Sequence, residues 1–158
     1  MRIIAIDPGY ERLGIAVIEK LPRGKEVLLY SDCFKTSAKL PHSERLGLVG
    51  KELERVIAEF SPKALCLESL FFSENKKSAI AVAEARGVIL YQAAIHGLPV
   101  HEYGPGQIKV AVTGYGKSDK AQIIAMIPRL IRIDKEIRHD DEYDAIATGL
   151  TCFATERF

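Results

Sequence analysis

The first 34 residues constrain the fold more than any other segment, because they contain three strand-like runs joined by short turns. Arg2–Asp7 is rich in isoleucine and stops at Asp7-Pro8-Gly9, a strong turn sequence. Two further runs follow at residues 14–20 and 26–34, separated by a turn that contains Pro22 and Gly24. Strands this close in sequence pair as an antiparallel meander. The chain therefore begins with a three-stranded antiparallel sheet.

The remaining residues alternate between helix and strand patterns. Apolar residues recur at the helical period over His42–Phe60, and Ser61-Pro62 ends that segment. Short apolar runs at 64–67 and 98–103 indicate two buried strands. Further helices are predicted over 73–95 with Ser73 or Asn75 as the cap, near 107–113, over 118–131 and over about 141–153. This order predicts an α/β domain whose mixed five-stranded sheet joins three antiparallel strands to two parallel ones through helical crossovers.

Length and composition define the class of protein. The chain has 158 residues, of which 47% are hydrophobic and 27% charged, and these values suit one globular domain over residues 1–158. No apolar run reaches the roughly 18–20 residues of a membrane helix, and Asp7 comes too early for a signal peptide. Cys33, Cys66 and Cys152 lack metal-ligand spacing, which favours reduced cysteines in a core. We therefore expect a cytoplasmic protein with no membrane partner.

The charge is balanced over the whole chain but not along it. The formal net charge is +1, which favours no class of partner. Residues 107–132, however, contain five basic side chains and one acidic one, a local excess of +4. Such a segment is either a phosphate-facing patch or a solvated positive face. The basic residues of this segment are Lys109, Lys117, Lys120, Arg129 and Arg132.

Four carboxylates lie where they can meet at one edge of the predicted sheet. Asp7 ends the first strand, and Glu68 directly follows the apolar run 64–67. Asp141 and Asp144 share a face on the first turn of the last helix. Each has an ordinary structural explanation when taken alone: a turn former, a solvated strand end and a helix N-terminus. Together they match the edge of an α/β sheet where ligands bind.

Convergent carboxylates without histidine or cysteine select hard cations such as magnesium or manganese. Crowded like charges repel one another unless a cation neutralises them. Two-metal phosphodiester hydrolysis is the reaction class that fits such a cluster.

The sequence resembles the RuvC family of Holliday-junction resolvases over almost its whole length. The motifs that carry the resemblance are Asp7-Pro8-Gly9 with Gly14, Leu67-Glu68-Ser69-Leu70-Phe71-Phe72 leading to Asn75, Ala85-Arg86-Gly87, Tyr103, Lys109, Gly114, Gly116, Lys120 and Asp141-x-x-Asp144-Ala145. The resemblance implies an RNase H-like fold, a homodimer, and magnesium-dependent symmetric nicking of four-way DNA junctions in recombination and repair. It also implies the RuvA–RuvB branch-migration complex as a partner. Tyr10 departs from the pattern, because the family usually has a small hydroxyl residue there.

Site residues follow from the resemblance position by position. Asp7, Glu68, Asp141 and Asp144 correspond to the catalytic carboxylates, which would hold two Mg²⁺ ions, with Mn²⁺ as a substitute. The predicted DNA contacts are Lys109, Lys117, Lys120 and Phe71, the last by stacking on unpaired bases. Phe71 and Phe72 could instead belong to the core. Ala79, Ala83 and Gly87 would line the dimer contact, and packing on the chain's own sheet is the alternative.

Three other functions remain open at this point. An RNase H-like nuclease that processes structured RNA would use the same carboxylates. A non-catalytic junction-binding protein would keep the fold, although loss of a carboxylate would be expected there and all four are present. A nucleotide-binding switch of the actin-like class could begin with a similar strand, but one short domain lacks the second lobe that closes over ATP.

Overall fold

The computed structural model of the chain describes residues 1–22, 25–69 and 76–157, and for residues 76–78 it describes the backbone only. Within these ranges no helix is both long and apolar enough to cross a membrane. The described elements, in chain order, are β1 (Arg2–Asp7), β2 (Arg12–Lys20), β3 (Glu26–Lys35), α1 (His42–Phe60), β4 (Leu65–Glu68), α2 (Lys76–Ile95), β5 (Val100–Tyr103), α3 (Pro105–Thr113), α4 (Lys120–Leu130), β6 (Ile131–Arg132) and α5 (Asp140–Thr155).

The described strands form one mixed sheet in the order β5-β4-β1-β2-β3-β6. Strands β1, β2 and β3 pair antiparallel, and β4 and β5 join the β1 edge in parallel, which confirms the predicted fold class. The sheet has six strands in the described residues instead of the predicted five. The extra strand, β6, lies in parallel beside β3. Its first residue, Ile131, was predicted as the last residue of a helix, and a segment this short has no periodicity to detect.

Several element bounds differ from the predicted ones in ways that affect the site. Strand β2 begins at Arg12 and not at residue 14, and β4 includes Glu68. Helix α5 begins at Asp140, so Asp141 and Asp144 lie in its first turn and just beyond. The predicted caps Ser73 and Asn75 lie outside the described residues.

The sheet separates two hydrophobic cores, and the alternation of side chains along each strand decides which core a residue enters. On β1, Ile4 and Ile6 pack with α1 and α2, whereas Ile3 and Ala5 pack with α5. The same alternation on β4 sends Leu65 and Leu67 to the first core and Cys66 to the second. Asp7 and Glu68 continue the second set, so both carboxylates lie on the α5 side of the sheet.

Helix α5 lies directly on the central strands because a glycine removes the side chain at the contact. A Cβ atom at Gly149 would lie 2.7 Å from the Cδ1 atom of Ile18 and 3.1 Å from the Cβ atom of Ala5. Backbone and side chains this close cannot accept even a methyl group without a shift. Gly149 therefore lets α5 approach β1 and β2 more closely than a residue with a side chain would allow.

Candidate active site

Asp7 and Glu68 are neighbours because β1 and β4 run in parallel. Ile6 lies opposite Leu67 in the register of the two strands, so the next residue of each strand is a carboxylate. Both side chains stand at the carboxyl ends of the strands, where an open α/β sheet binds its ligands. The structure thus brings together the two carboxylates that the sequence placed at strand ends.

Gly14 brings the first turn of α5 onto the same edge. It lies opposite Asp7 on β2. A Cβ atom at Gly14 would lie 2.1 Å from the carbonyl oxygen of Asp141 and 3.1 Å from the Cβ atom of Asp7. The glycine is therefore required for Asp141 to approach Asp7. Asp144 follows three residues later on the same helix, so all four predicted carboxylates meet at this edge.

A cleft of about 220 Å³ opens beside the carboxylates. Glu68 and Asp144 line it together with Lys109 of α3 and Lys120 of α4. The Nζ atom of Lys120 lies 2.7 Å from the Oδ2 atom of Asp144 and 3.5 Å from that of Asp140. Two of the three predicted DNA-contacting lysines therefore line the cleft with the carboxylates.

Burial and mutual repulsion dominate the electrostatics of the cluster. The pKa of Asp7 is raised from 3.8 to about 8, first by burial and then by the charges of Glu68, Asp144 and Asp141. Burial and Asp144 also raise the pKa of Glu68. Partial burial acts to lower the pKa of Lys120, but the hydrogen bonds and charges of Asp144 and Asp140 together outweigh burial and raise it. The cluster thus carries more negative charge than the chain's own cations neutralise.

Sequence reasoning missed a second cation at the site, Arg12. Its Nη2 atom lies 2.5 Å from the Oδ2 atom of Asp141. The thiol of Cys33 donates a hydrogen bond of 3.5 Å to the same oxygen. Both residues lie on the α5 face of the sheet, because Cys33 is paired with Gly14 and Arg12 with Lys35 across β2 and β3. No local pattern marks Arg12, since its partner is 129 residues away.

The unusual Tyr10 is part of the anchor of the β1–β2 turn. Its ring packs against the guanidinium of Arg45, 4.6 Å from the ring centre, and against His42 at 5.5 Å. Its carbonyl oxygen accepts a hydrogen bond from Thr36. Arg45, which is buried, also donates to Thr36. An aromatic residue at this position therefore fixes the turn that follows Asp7.

Of the two remaining predicted DNA contacts, Lys117 and Phe71, the structure describes only Lys117. Lys117 is exposed on the loop between α3 and α4. The hydroxyl groups of Thr113 and Ser118 lie 2.5 Å apart, and each bonds to the carbonyl oxygen of Tyr115 in that loop. Phe71 lies outside the described residues. Lys117 is therefore presented by an internally bonded loop next to the helices that carry Lys109 and Lys120.

The small-residue stripe of α2 does not pack on the chain's own sheet. Ala83 and Gly87 are exposed, Ala79 is half-buried, and a Cβ atom at Gly87 would meet nothing within 4 Å. Ala85, Ile89 and Ala93 instead face the core. Three large apolar side chains of α2 also lie exposed, namely Ile80, Tyr91 and Ile95. The stripe is thus part of an apolar surface of the chain.

The carboxylates could hold metal ions, although their side chains are not arranged as a ready cage. Among the described residues, no three Asp, Glu, His or Cys side chains lie close enough together to bind one metal ion as they stand. Arg12 and Lys120 instead hold Asp141 and Asp144 through ion pairs. The donor set is entirely oxygen, which fits magnesium or manganese. The raised pKa of Asp7 fits a site completed by an added cation.

The mixed sheet and its edge of carboxylates define the chain as an α/β protein of the RNase H-like nuclease class. The family model "Crossover junction endodeoxyribonuclease RuvC" matches residues 3–152. The RuvC of Thermosipho melanesiensis is 43% identical over 157 residues, which cover 99% of this chain and 98% of that protein. The structure of Thermus thermophilus RuvC is 33% identical with a TM-score of 0.89, covering 98% of this chain and 94% of that one. The same enzyme in complex with a Holliday junction substrate also gives a TM-score of 0.89. The chain belongs to the RuvC family.

Proposed function

We propose that this protein is an endonuclease that resolves four-way DNA junctions by paired symmetric nicks, in recombination and repair. The observation that carries the proposal is the meeting of Asp7, Glu68, Asp141 and Asp144 beside a lysine-lined cleft, in a chain of the RuvC family. The Thermus relative has been seen with a Holliday junction, which supports the same substrate here.

The carboxylates are proposed to hold two Mg²⁺ ions, with Mn²⁺ as a substitute. When bound there, the ions would supply an activated water for in-line attack and positive charge beside the leaving 3′-oxygen. Asp7 lies beside Glu68 of β4 and close to Asp141 at the start of α5, so its carboxylate could share a cation with either of these two residues. Lys120 and Lys109 contribute positive charge on the cleft side, where the phosphate of the cut strand would lie.

DNA binding is proposed to use the basic segment 107–132. Lys109 and Lys120 line the cleft, and Lys117 extends from the adjoining loop. Contacts of lysine with phosphate release counterions, so affinity for DNA should fall steeply with salt. Phe71 is proposed to stack on unpaired bases at the crossover, because every base offers an aromatic face.

The protein is proposed to act as a homodimer through the exposed stripe of α2. Exposed apolar patches on one helix face are typical of protein interfaces. Gly87→Glu should reduce the dimer to a monomer in sedimentation measurements. Gly47→Glu is the matched control, because Gly47 is also helical and a Cβ atom there meets nothing within 4 Å. Equal dimerisation of both variants would contradict the assignment.

Membership of the RuvC family also supports a proposal for where the protein acts and which protein complex it works with. We propose that the chain works as a single nuclease domain in the cytoplasm, where bacterial DNA lies. The RuvA–RuvB branch-migration complex is the proposed partner. Co-sedimentation of the protein with that complex on a four-way junction would test this.

The direct test compares three labelled substrates: a four-way junction, a linear duplex of the same sequence and a structured RNA. Each is incubated with magnesium and with chelator, and Asp7→Asn serves as the control for contaminating nucleases. We expect paired, magnesium-dependent nicks in the junction alone. Cleavage of the RNA would favour an RNA-processing nuclease. Binding without cleavage in magnesium or manganese would favour a non-catalytic junction-binding protein.

A further inference from the structure

The Arg12–Asp141 ion pair occupies one oxygen of a proposed metal ligand. The Nη2 atom of Arg12 and the thiol of Cys33 both contact the Oδ2 atom of Asp141, at 2.5 and 3.5 Å. The Asp141 side chain is 19% exposed, whereas that of Arg12 is 49% exposed. The carboxylate is therefore held in place while the guanidinium reaches it from the solvent side.

The backbone of Arg12 is fixed by the turn from which it extends. The amide of Thr36 donates a 3.0 Å hydrogen bond to the carbonyl oxygen of Glu11. A Cβ atom at Gly9 would lie 1.9 Å from the carbonyl oxygen of Arg12, so the turn folds back tightly on this residue. A change of partner by Arg12 therefore requires a movement of its long side chain and not a movement of the turn.

A guanidinium that faces solvent beside a carboxylate cluster can bind either a carboxylate of the protein or a phosphate of DNA. It carries five N–H donors in a fork that fits carboxylate and phosphate equally well. In the free protein Asp141 is the near anion. A DNA strand in the cleft would bring phosphates, a second kind of anion, to the same edge of the sheet. Ion pairs at exposed sites are weak enough to exchange.

We propose that Arg12 is a positioning residue that holds Asp141 in the free protein and transfers to a DNA phosphate when the strand binds. The transfer frees the Oδ2 atom of Asp141 for a divalent cation, so DNA binding and metal binding support each other. This inference rests on the proposed function, because it requires both a metal at the carboxylates and DNA in the cleft. Thermodynamic linkage makes the effect reciprocal.

Arg12→Gln should therefore change metal and DNA affinity in opposite directions. Removing the competing guanidinium should raise the Mn²⁺ affinity of the DNA-free protein about 5-fold, at the lower end of typical coupling between sites. Loss of one phosphate contact should weaken junction binding in chelator, and should reduce the slope of log affinity against log salt by about 0.9. Arg12→Lys should keep the charge and restore most of the salt slope.

The experiment measures Mn²⁺ binding by electron paramagnetic resonance without DNA, and junction binding in chelator at several salt concentrations. Arg55→Gln is the matched control, because Arg55 is 47% exposed and pairs with Glu52 and Glu59 on α1. We expect the control to behave like the wild type in both assays. Unchanged or weaker Mn²⁺ binding by Arg12→Gln, or an unchanged salt slope, would overturn the inference. If the wild type binds no Mn²⁺ that Asp7→Asn abolishes, the proposed metal site fails and the inference fails with it.

Discussion

Two carboxylates, Asp7 at the end of β1 and Glu142 in the first turn of α5, lie on the same side of the sheet and have opposite surroundings. Glu142 is buried and accepts hydrogen bonds from Ser31 at 2.6 Å, from Lys135 at 2.7 Å and from the amide of Arg138 at 3.2 Å. Burial acts to raise its pKa, but these donors outweigh burial and lower it. From the described residues, no hydrogen bond reaches the carboxylate of Asp7, whose pKa is raised to about 8.

The difference separates a carboxylate that the chain itself neutralises, Glu142, from the proposed metal ligand Asp7. Glu142 ties the start of α5 to β3, and the chain itself supplies its counter-charge and donors. Asp7 faces three other carboxylates, and burial removes the water that would solvate it. A buried charge left in this state is costly unless it is protonated or meets a cation. The chain thus supplies hydrogen-bond donors and a counter-charge to Glu142 and leaves the proposed metal ligand Asp7 unsatisfied.

Asp7→Asn should give the largest functional change. The amide keeps the size of the side chain but loses the charge, so cleavage of a four-way junction should fall by roughly 10³-fold or more. Junction binding in chelator should stay within about threefold of wild type, because the DNA-contacting lysines are unchanged. Single-turnover cleavage and a binding titration measure the two effects. Cleavage at the wild-type rate would refute the assignment of Asp7.

Gly14→Ala should move the start of α5 without changing the charge of any carboxylate, so it tests the effect of the helix position alone. The new Cβ atom would lie 2.1 Å from the carbonyl oxygen of Asp141, so the start of α5 must move. A displacement of about 1 Å at reacting groups costs about 10²-fold in rate, and overpacking costs about 1–3 kcal/mol of stability. Cleavage kinetics and urea unfolding measure both.

The control for this variant is Gly47→Ala on α1, where a Cβ atom meets nothing within 4 Å. Replacing a helical glycine in open surroundings should stabilise the protein by about 0.5–1 kcal/mol and leave cleavage unchanged. If Gly14→Ala behaves like Gly47→Ala, the close contact between β2 and α5 does not position the site.

Glu142→Gln should affect stability more than chemistry. Loss of its charge-assisted hydrogen bonds should cost about 1.5–3 kcal/mol in urea unfolding. Because the pKa of Glu142 is lowered on folding, its contribution is present above the unfolded pKa near 4.5 and is lost as pH falls below it. A loss of cleavage as large as that of Asp7→Asn, with stability unchanged, would show that Glu142 belongs to the reaction and would remove the distinction between the two residues.

The sequence predicted what depends on local pattern or on motif. The bounds of β1 and α1 and the convergence of the four carboxylates follow from periodicity, turn residues and the resemblance to a family. The contacts of Arg12 with Asp141 and of Ser31 with Glu142 could not be predicted, because the two residues of each pair lie more than 100 residues apart in the sequence. Strand β6 was not predicted because a strand of two residues has no detectable alternation of apolar and polar residues.

The most direct test of whether Asp7 is an unsatisfied cation ligand is thermal unfolding of the wild type and Asp7→Asn at several pH values, with chelator and with magnesium. The folded pKa of Asp7 is raised from 3.8 to about 8, so in chelator the wild type should lose stability as pH rises between these values. Asp7→Asn should therefore melt higher than wild type at pH 8, by roughly 2–4 °C for each kcal/mol of relieved repulsion, and the difference should vanish near pH 4. Magnesium should stabilise the wild type and not the variant. A variant that melts lower than wild type in chelator at pH 8, or equal stabilisation of both proteins by magnesium, would contradict the account.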